Sequence, residues 1–394
     1  MARRTRGPGN GSSTPRAPRP PSRRLDAPVF AQPEPTPDPS TFRVKHPSDA
    51  DAYKQIDELN REHRLQPMPF PRPRGAAAEP RLALSDVFGG NTGAINVIER
   101  QGQIVFHATG DCGSTRGPKT QNEVTDKMIG DFTESDAREV PQFALLLGDI
   151  VYSFGEPEFY YDQFYEPYRN YHAPVLAAAG NHDGMISPLA HATSLEAYLR
   201  NFCADAGGGF TVTPEAGGLS RTAQIQPGVF FTFDAPFCRV LVFYSNTLED
   251  HGVIANDTIG HGQIDFLRAA LQRVKRESYT GALLFAHHHP PYAIGGQHSS
   301  STEMRQQMDG VCAETGIWPH AVLAGHGTRT SASLGSDRTG PKSPTSSAAM
   351  AVTTCKNCML KEASRYGRRK SSIPEQPTRT RSCSNDMTTR ITDT

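Results

Sequence analysis

The stretch PQFALLLGDIVY at residues 141–152 indicates the class of fold. A run of apolar residues is followed directly by Gly148 and Asp149, which is typical of a buried strand that ends in a sharp loop. The same arrangement recurs in QIVFHATGD (103–111), APVLAAAGNHD (173–183), GALLFAHHHPPY (281–292) and HAVLAGH (320–326). We therefore predict a set of buried β-strands, each with a polar cluster at its end.

Helical patterns lie between these strands. The segment KTQNEVTDKMIGDFTESDAREV (119–140) is predicted to be helical, and GQIDFLRAALQRVKRE (262–277) has apolar residues at helical spacing. The segment GVFFTFDAPFCRVLVFYSN (228–246) predicts a β-hairpin with a proline-containing turn. Alternation of strands and helices predicts an α/β fold built in layers. In such folds the ends of the strands converge on one edge of the sheet, where sites are placed.

The two ends of the chain differ from its centre. The chain has 394 residues, of which 35 are Gly and 32 are Pro, and only 36% are apolar. Residues 1–45 are mainly Pro, Arg, Ser and Gly, so they cannot bury enough apolar surface and are predicted to be a disordered tail. Residues 46–99 are predicted to form a short helix, Ser48–His63, and a Pro-rich connector. The domain is then expected at 100–326, followed by a second disordered tail at 327–394.

Several function classes are disfavoured by composition. Acidic and basic residues balance at 41 each, which gives no case for a nucleic-acid partner. No run of 18 apolar residues is present, so no membrane span is predicted. The basic N-terminus has no apolar region behind it, and the seven cysteines show no disulfide framework, which favours the cytoplasm. The oligomeric state is not indicated by the sequence.

The polar strand ends carry residues that bind metals. These residues are Asp111, Asp149, Asn181 with His182, His288 and His326. Carboxylate, amide and imidazole groups together suit ions such as Mn, Fe or Zn, and a carboxylate can bridge two ions about 3.5–4 Å apart. Each motif alone is typical of an ordinary turn or loop. Their recurrence at the ends of successive apolar strands predicts a convergent metal site.

This ordered set resembles the calcineurin-like metallophosphoesterase family over Gly102–His326. The variant is similar to the purple acid phosphatase branch, because Gly110–Gly113 matches GDxG and Gly148–Tyr152 matches GDxxY. The resemblance implies a sandwich of two β-sheets flanked by helices, incomplete at the C-terminus in this chain. It also implies metal-dependent hydrolysis of phosphate esters by a dinuclear centre, with a metal-bound hydroxide as nucleophile. The implied substrate is a phosphorylated small molecule or another phosphoester, and the implied cofactors are two ions of Fe, Mn or Zn.

The resemblance also implies a role for each matching residue. Asp149 would bridge both ions, and Asp111 would bind the first ion, joined by the phenolate of Tyr152. The second ion would be completed by Asn181, His288 and His326. His182 would contact the phosphate or protonate the leaving group.

One histidine of the HHH run is assigned by the family pattern. His288 is chosen because it fits H-x-P with Pro290, and His287 and His289 are expected to pack or to face solvent.

Two departures from the family pattern bear on activity. Gly113 stands where many members have a histidine, which is normal where Tyr152 substitutes for it. The final GHxH motif becomes Gly325-His326-Gly327-Thr328, so its second histidine is absent. An inactive or phosphate-binding relative is therefore the alternative to an active enzyme. A structural protein with a coincidental histidine cluster is a third hypothesis, and it predicts no bound metal.

The genetic code gives a hypothesis for the missing histidine. If the third base of each codon is joined to the first two bases of the next, Pro344–Cys355 permits YIVCGNGGHNV, which is similar to the strand and Gly-Gly turn that follow GHxH in the family. In that frame Met350 and Ala351 require a glycine. The same frame over Gly327–Thr330 permits His-x-His. We hypothesise that residues 327–394 are a frame-shifted translation of the family's C-terminal segment.

Overall fold

The structure is a computed structural model of the chain. It describes residues 22–32, 54–55, 58, 68–115, 117–186, 193–217, 221–245, 252–291 and 301–326, together with three short backbone segments, 331–334, 350–351 and 388–392. All statements below concern these residues.

Strands and helices alternate through most of the described chain. The strands are β1 (Arg23–Leu25), β2 (Arg81–Ala83), β3 (Gln103–Thr109), β4 (Ala144–Leu147), β5 (Val175–Ala178), β6 (Phe210–Val212), β7 (Phe231–Ala235), β8 (Cys238–Val242), β9 (Ala282–His287), β10 (Ala321–Ala324), β11 (Ser331–Leu334), β12 (Met350–Ala351) and β13 (Thr388–Thr392). The α-helices are α1 (Leu84–Val87), α2 (Thr92–Gln101), α3 (Lys119–Gly130), α4 (Asn181–Gly184), α5 (Glu196–Phe202), α6 (Gly262–Arg276) and α7 (Thr302–Thr315).

One sheet has five strands in the order β12-β13-β3-β4-β5. Its strands β3, β4 and β5 are parallel, with Ala144 of β4 opposite both His107 and Val175. Because parallel strands place their carboxyl ends at one edge, this sheet brings the GD and GNH loops together.

A second sheet has six strands in the order β11-β10-β9-β8-β7-β2. The predicted hairpin is confirmed, since β7 and β8 pair antiparallel with Phe231 opposite Val242. Strands β8, β9 and β10 are parallel, so the ends of β9 and β10 lie side by side.

The two sheets face each other across a shared apolar core. From the five-stranded sheet this core takes Ile104, Phe106, Ala108, Leu145, Leu147, Leu176 and Ala178, and from the six-stranded sheet it takes Phe231, Phe233, Val240, Val242, Leu284, Ala286 and Leu323. Alternate residues of the same strands point outward and pack under helices such as α6 and α7. The predicted two-sheet sandwich flanked by helices is therefore confirmed.

The ordered region begins before residue 100. Strand β2 pairs with β7, and Leu84, Val87 and Ile98 are buried in the core between the sheets, within the segment expected to be a connector. Of the predicted helix Ser48–His63, only positions 54, 55 and 58 are described, and they are helical.

Part of the N-terminal segment also packs on the domain. Strand β1 pairs antiparallel with β6, and the backbone of Val29 bonds to Thr222 in both directions. These residues lie within the tail that was expected to be disordered.

The segment after residue 326 contributes backbone only. Strand β11 pairs antiparallel with β10, and β13 pairs antiparallel with β3. Most of Pro344–Cys355, where the shifted frame was tested, lies outside the described residues. Among the helices that the structure describes, none has the length and apolar character needed to cross a bilayer.

Candidate metal centre

The predicted ligands come from loops on both sheets. Asp111 follows β3 and Asp149 follows β4, and Asn181 begins α4 just after β5. His288 follows β9 and His326 follows β10 in the other sheet.

Four of the predicted ligands form one cluster. The donor atoms of Asp111, Asp149, His288 and His326 all lie within 4.8 Å of one another. Nε2 of His288 is 3.2 Å from Oδ2 of Asp149 and 3.9 Å from Oδ1 of Asp111. Nδ1 of His326 lies 3.0 Å from the same Nε2 atom. Two carboxylates and two imidazoles therefore share one small volume.

The orientation of His288 is set by the neighbouring strand. Its Nδ1 donates a hydrogen bond of 2.7 Å to the carbonyl of Leu147, which leaves Nε2 facing the cluster. The carbonyl of His288 in turn accepts hydrogen bonds from the backbone N–H groups of Gly325 and His326, at 2.9 and 2.8 Å. One residue therefore connects the ends of β4, β9 and β10.

The charges in the cluster shift one another's pKa values. Burial favours the neutral form of His288, but the charge of Asp149 outweighs it and raises the pKa of His288 to about 9. Burial would likewise raise the pKa of Asp149, yet the adjacent His288, His182 and His326 hold it well below its usual range. The carboxylate of Asp149 is thus kept ionised inside the protein, as a metal ligand must be.

The two aspartate loops have unusual backbone conformations. Asp111 has a φ of 51° and Asp149 a φ of 55°, in the left-handed region that side-chain-bearing residues rarely adopt. Gly148 has a φ of 95°, and a Cβ atom there would lie 2.5 Å from Nδ1 of His288. Glycine is therefore required at position 148, both for the turn and for the approach of His288.

Tyr152 and His182 lie beside the cluster. The Tyr152 side chain bonds to Asp149, and burial together with Asp111 and Asp149 raises the pKa of its phenol well above the usual value. Its ring centroid is 4.4 Å from that of His182. Nδ1 of His182 donates to the carbonyl of Ser153 at 2.8 Å, which leaves Nε2 3.9 Å from Oδ2 of Asp149. His182 therefore presents one ring nitrogen to the site.

Asn181 lies next to the same carboxylate. It is buried and follows Gly180, where an added Cβ atom would lie 2.2 Å from Oδ1 of Asp149. Its assignment as a ligand stays a prediction. Position 328, where the family pattern has a second histidine, lies outside the described residues.

The two remaining histidines of the HHH run are both buried. His287 is 0% exposed and its ring packs near Phe243, while His289 is 2% exposed. Nδ1 of His289 lies 2.8 Å from Oγ of Ser245. These two side chains were expected to pack or to face solvent, and both pack inside the protein.

Asp183 was not assigned a role from the sequence, although it ends the GNHD motif. Its carboxylate accepts hydrogen bonds from the backbone N–H groups of Asp149 (3.0 Å), Ile150 (3.1 Å) and Gly180 (2.8 Å). It thereby joins the GD loop to the GNH loop. The only sequence signal was its position directly after the histidine.

The chemistry of these residues fits transition-metal ions. Ionised carboxylates and imidazole nitrogens are the ligands that Zn, Mn and Fe accept. The facing nitrogens of His288 and His326, with carboxylates beside them, form a donor set that a cation would satisfy.

The chain is similar to several solved structures at low sequence identity. Among solved structures, a purple acid phosphatase from yellow lupin (Lupinus luteus) seeds is 17% identical, with a TM-score of 0.39, and the match covers 57% of this chain and 38% of that one. GAP50, the anchor in the inner membrane complex of Plasmodium, is 14% identical with a TM-score of 0.37, covering 57% of this chain and 66% of that one. PhoD is 12% identical with a TM-score of 0.33, covering 57% and 51%.

The sequence comparisons differ in outcome. No curated protein gives a significant match. The family model described as calcineurin-like phosphoesterase matches residues 104–327, which is more than half of the chain and contains the whole cluster. The chain belongs to the calcineurin-like phosphoesterase family.

Proposed function

We propose that this protein hydrolyses phosphate esters with a dinuclear metal centre. The observation that carries the proposal is the cluster of Asp111, Asp149, His288 and His326, whose donor atoms lie within 4.8 Å of one another in a chain of this family. The burial of Asp149 beside histidines from both sheets supports its proposed role as the shared ligand.

The residues that would hold the ions fall into two groups. Asp111, Asp149 and Tyr152 would hold the first, and Asp149 with Asn181, His288 and His326 would hold the second. Bound ions of Fe, Mn or Zn would neutralise the phosphoryl oxygens and acidify a water molecule.

His182 is proposed as the general acid. Because its Nδ1 donates to Ser153, its Nε2 is the nitrogen available to an ester oxygen at the cluster. The ring of Tyr152 packs against it and restricts its rotation. His182 would therefore deliver a proton to the leaving oxygen without itself binding the ions.

Thr328 in place of the second GHxH histidine supports the alternative, an inactive or phosphate-binding relative. The missing histidine would have completed the ligands of the first ion, so its absence weakens the binding of that ion. The two hypotheses differ in metal stoichiometry and in turnover.

The test is metal content together with hydrolysis. The full chain is loaded with Zn, Mn or Fe, its ions are counted, and it is assayed on p-nitrophenyl phosphate and on bis(p-nitrophenyl) phosphate. Two ions per chain with turnover, and a fall of about 10²–10⁴ in kcat for His182→Ala at unchanged metal content, would support the proposal. One ion or none, without turnover on either ester, would support the alternative.

A further inference from the structure

We propose that Gln163 is a positioning residue that sets the separation of the two aspartate ligands. The Asp111 loop is defined here as residues 110–114, and the Asp149 loop as residues 148–152. Gln163 lies outside both, in the single π-helical turn Tyr161–Tyr165. The inference rests on the proposed function, since it concerns how the ions are held.

The amide of Gln163 joins the two loops directly. Its Oε1 accepts a hydrogen bond from the backbone N–H of Ser114 and another from the backbone N–H of Tyr152, both at 2.9 Å. Its Nε2 donates to the carbonyl of Tyr152, also at 2.9 Å. Gln163 is only 4% exposed, so losing one of these hydrogen bonds leaves a polar atom of its buried amide unpaired.

A second glutamine fixes the other side of this arrangement. Nε2 of Gln121, in α3, donates to the carbonyl of Cys112 at 2.7 Å and also to the backbone carbonyl of Gln163. Gln121 is buried as well. The Asp111 loop is therefore bonded directly to the side chain of Gln163 and, through Gln121, to its backbone.

The two loops and Gln163 pack too closely to admit a side chain at position 113. A Cβ atom at Gly113 would lie 2.6 Å from Oε1 of Gln163 and 2.8 Å from the carbonyl oxygen of Ile150. The two loops also bond to each other, from the N–H of Asp111 to the carbonyl of Gly148 and from the N–H of Gly113 to the carbonyl of Asp149. Gln163 adds hydrogen bonds to Ser114 and Tyr152, the last residues of the two loops.

The hydrogen bonds of Gln163 affect metal binding as well as the fold. Asp111, Asp149 and Tyr152 all lie on the two loops that Gln163 joins. If the loops could slide apart, the carboxylates would lose the short separation that two ions require. Residues in this supporting role change metal affinity by about 10–100-fold when mutated.

The chain contains a matched control for Gln163. Gln226 is also a buried glutamine that bonds both backbone groups of one residue, accepting from the N–H of Ala177 at 2.8 Å and donating to its carbonyl at 3.0 Å. Ala177 lies within β5, away from the ladder between the two aspartate loops. Replacing Gln226 removes similar hydrogen bonds without touching either loop.

The experiment measures Zn²⁺ affinity by isothermal titration calorimetry on the full-length Gln163→Met and Gln226→Met variants, with folding checked by circular dichroism. We expect Gln163→Met to bind Zn²⁺ about tenfold or more weakly than the wild type, and Gln226→Met to bind it with unchanged affinity despite a lower Tm. Gln163→Asn keeps an amide but is one methylene too short to reach both loops, and it should weaken binding as well.

Several results would overturn the inference. Wild-type affinity in a folded Gln163→Met or Gln163→Asn variant would do so. Equal weakening in Gln226→Met would also, and so would failure of both Gln163 variants to fold while Gln226→Met folds, because Gln163 would then be structural. A wild-type protein that binds none of Zn, Mn and Fe would instead refute the proposed function itself.

Discussion

The carboxylate of Asp183 accepts a hydrogen bond of 3.0 Å from the backbone N–H of Asp149, the residue proposed to bridge the ions. Further bonds from Ile150 and Gly180 hold the same carboxylate. Burial, and then the charge of Asp149, raise the pKa of Asp183 to about 7, whereas the hydrogen bonds from the backbone of Gly180 and Ile150 favour its ionised form.

We expect Asp183→Asn to lower metal affinity and kcat together. An asparagine has one acceptor oxygen for these N–H groups, and its amide hydrogens would oppose one of them, so the loop that carries Asp149 loses its fixed position. The expected fall in metal affinity is about tenfold or more, by calorimetry. The control is Asp234→Asn, which changes a partly buried set of ion pairs on β7 of the other sheet. Unchanged affinity in Asp183→Asn would contradict the role.

Replacing His288 should abolish metal binding, whereas replacing its neighbour should not. His288→Ala removes a nitrogen that lies 3.2 Å from Asp149 and leaves a buried carboxylate without its main partner. His287→Leu is the control, because His287 is fully buried, its ring packs near Phe243, and no ligand role is predicted for it. Metal content measured by atomic absorption distinguishes the two variants. Loss of metal in His287→Leu alone would reverse the assignment within the HHH run.

The proposed binding of iron by Tyr152 predicts that the iron-loaded protein is coloured. If its phenolate binds iron(III), the iron-loaded protein should absorb visible light, and Tyr152→Phe should lose the band while retaining part of its iron. Tyr160→Phe is the control, since Tyr160 is a buried tyrosine that carries no predicted ligand role. A colourless iron-loaded wild type would remove the assignment of Tyr152 and with it the purple acid phosphatase branch.

The ion pairs of Asp234 predict a pH-dependent stability. Its carboxylate accepts from Arg239 at 2.7 Å and from Arg273 at 3.1 Å. Burial alone would raise its pKa, but these arginines lower it. A lowered pKa in the folded state means that the stabilisation is present above the unfolded-state pKa, near 3.9, and is lost as pH falls through the folded-state value.

Asp234→Asn should therefore destabilise the protein by about 1–2 kcal/mol at pH 7. The difference from the wild type, measured by urea unfolding, should persist at pH 5 and shrink below about pH 4. Asp136→Asn is the control, because Asp136 forms a similar pair with Arg138 in an exposed position and should show no measurable change. A difference that grows toward low pH would contradict the sign of the effect.

The C-terminal segment gives a prediction about the gene. Resequencing codons 320–360 should reveal a frame that encodes GHxH followed by YIVCGNGGHN. A chain with the restored histidine should bind a second ion that the present chain binds weakly, as counted by metal analysis. If the codons stand, Thr328 replaces a ligand in the natural protein, and the inactive alternative becomes the better hypothesis.

The sequence predicted best the features that depend both on the local conformation of the chain and on burial in the fold. A buried strand must be apolar and must end where the chain turns, so the positions of Asp111, Asp149, His288 and His326 could be predicted from the chain alone. The hairpin of β7 and β8 was predictable for the same reason. In each case the decisive signal lies within a dozen residues.

Elements that depend on distant partners were missed. Helix α7 was not predicted, although its buried residues Met304, Met308, Val311, Cys312 and Thr315 recur at helical spacing. Strand β2 is only three residues long and exists because it pairs with β7. Gln163 could not be identified either, since its role lies in hydrogen bonds to loops that are distant in sequence.

The origin of the ligands has a thermodynamic consequence. Asp111 and Asp149 follow strands of one sheet and His288 and His326 follow strands of the other, so an ion held by all four would cross-link the two sheets. Separating the sheets would require releasing the ion. Metal concentration should therefore set the melting temperature: at a hundredfold excess over Kd, one site would add about 2.7 kcal/mol to the free energy of unfolding. The metal centre would then stabilise the domain as well as carry out the reaction, and a chelator would lower the free energy of unfolding.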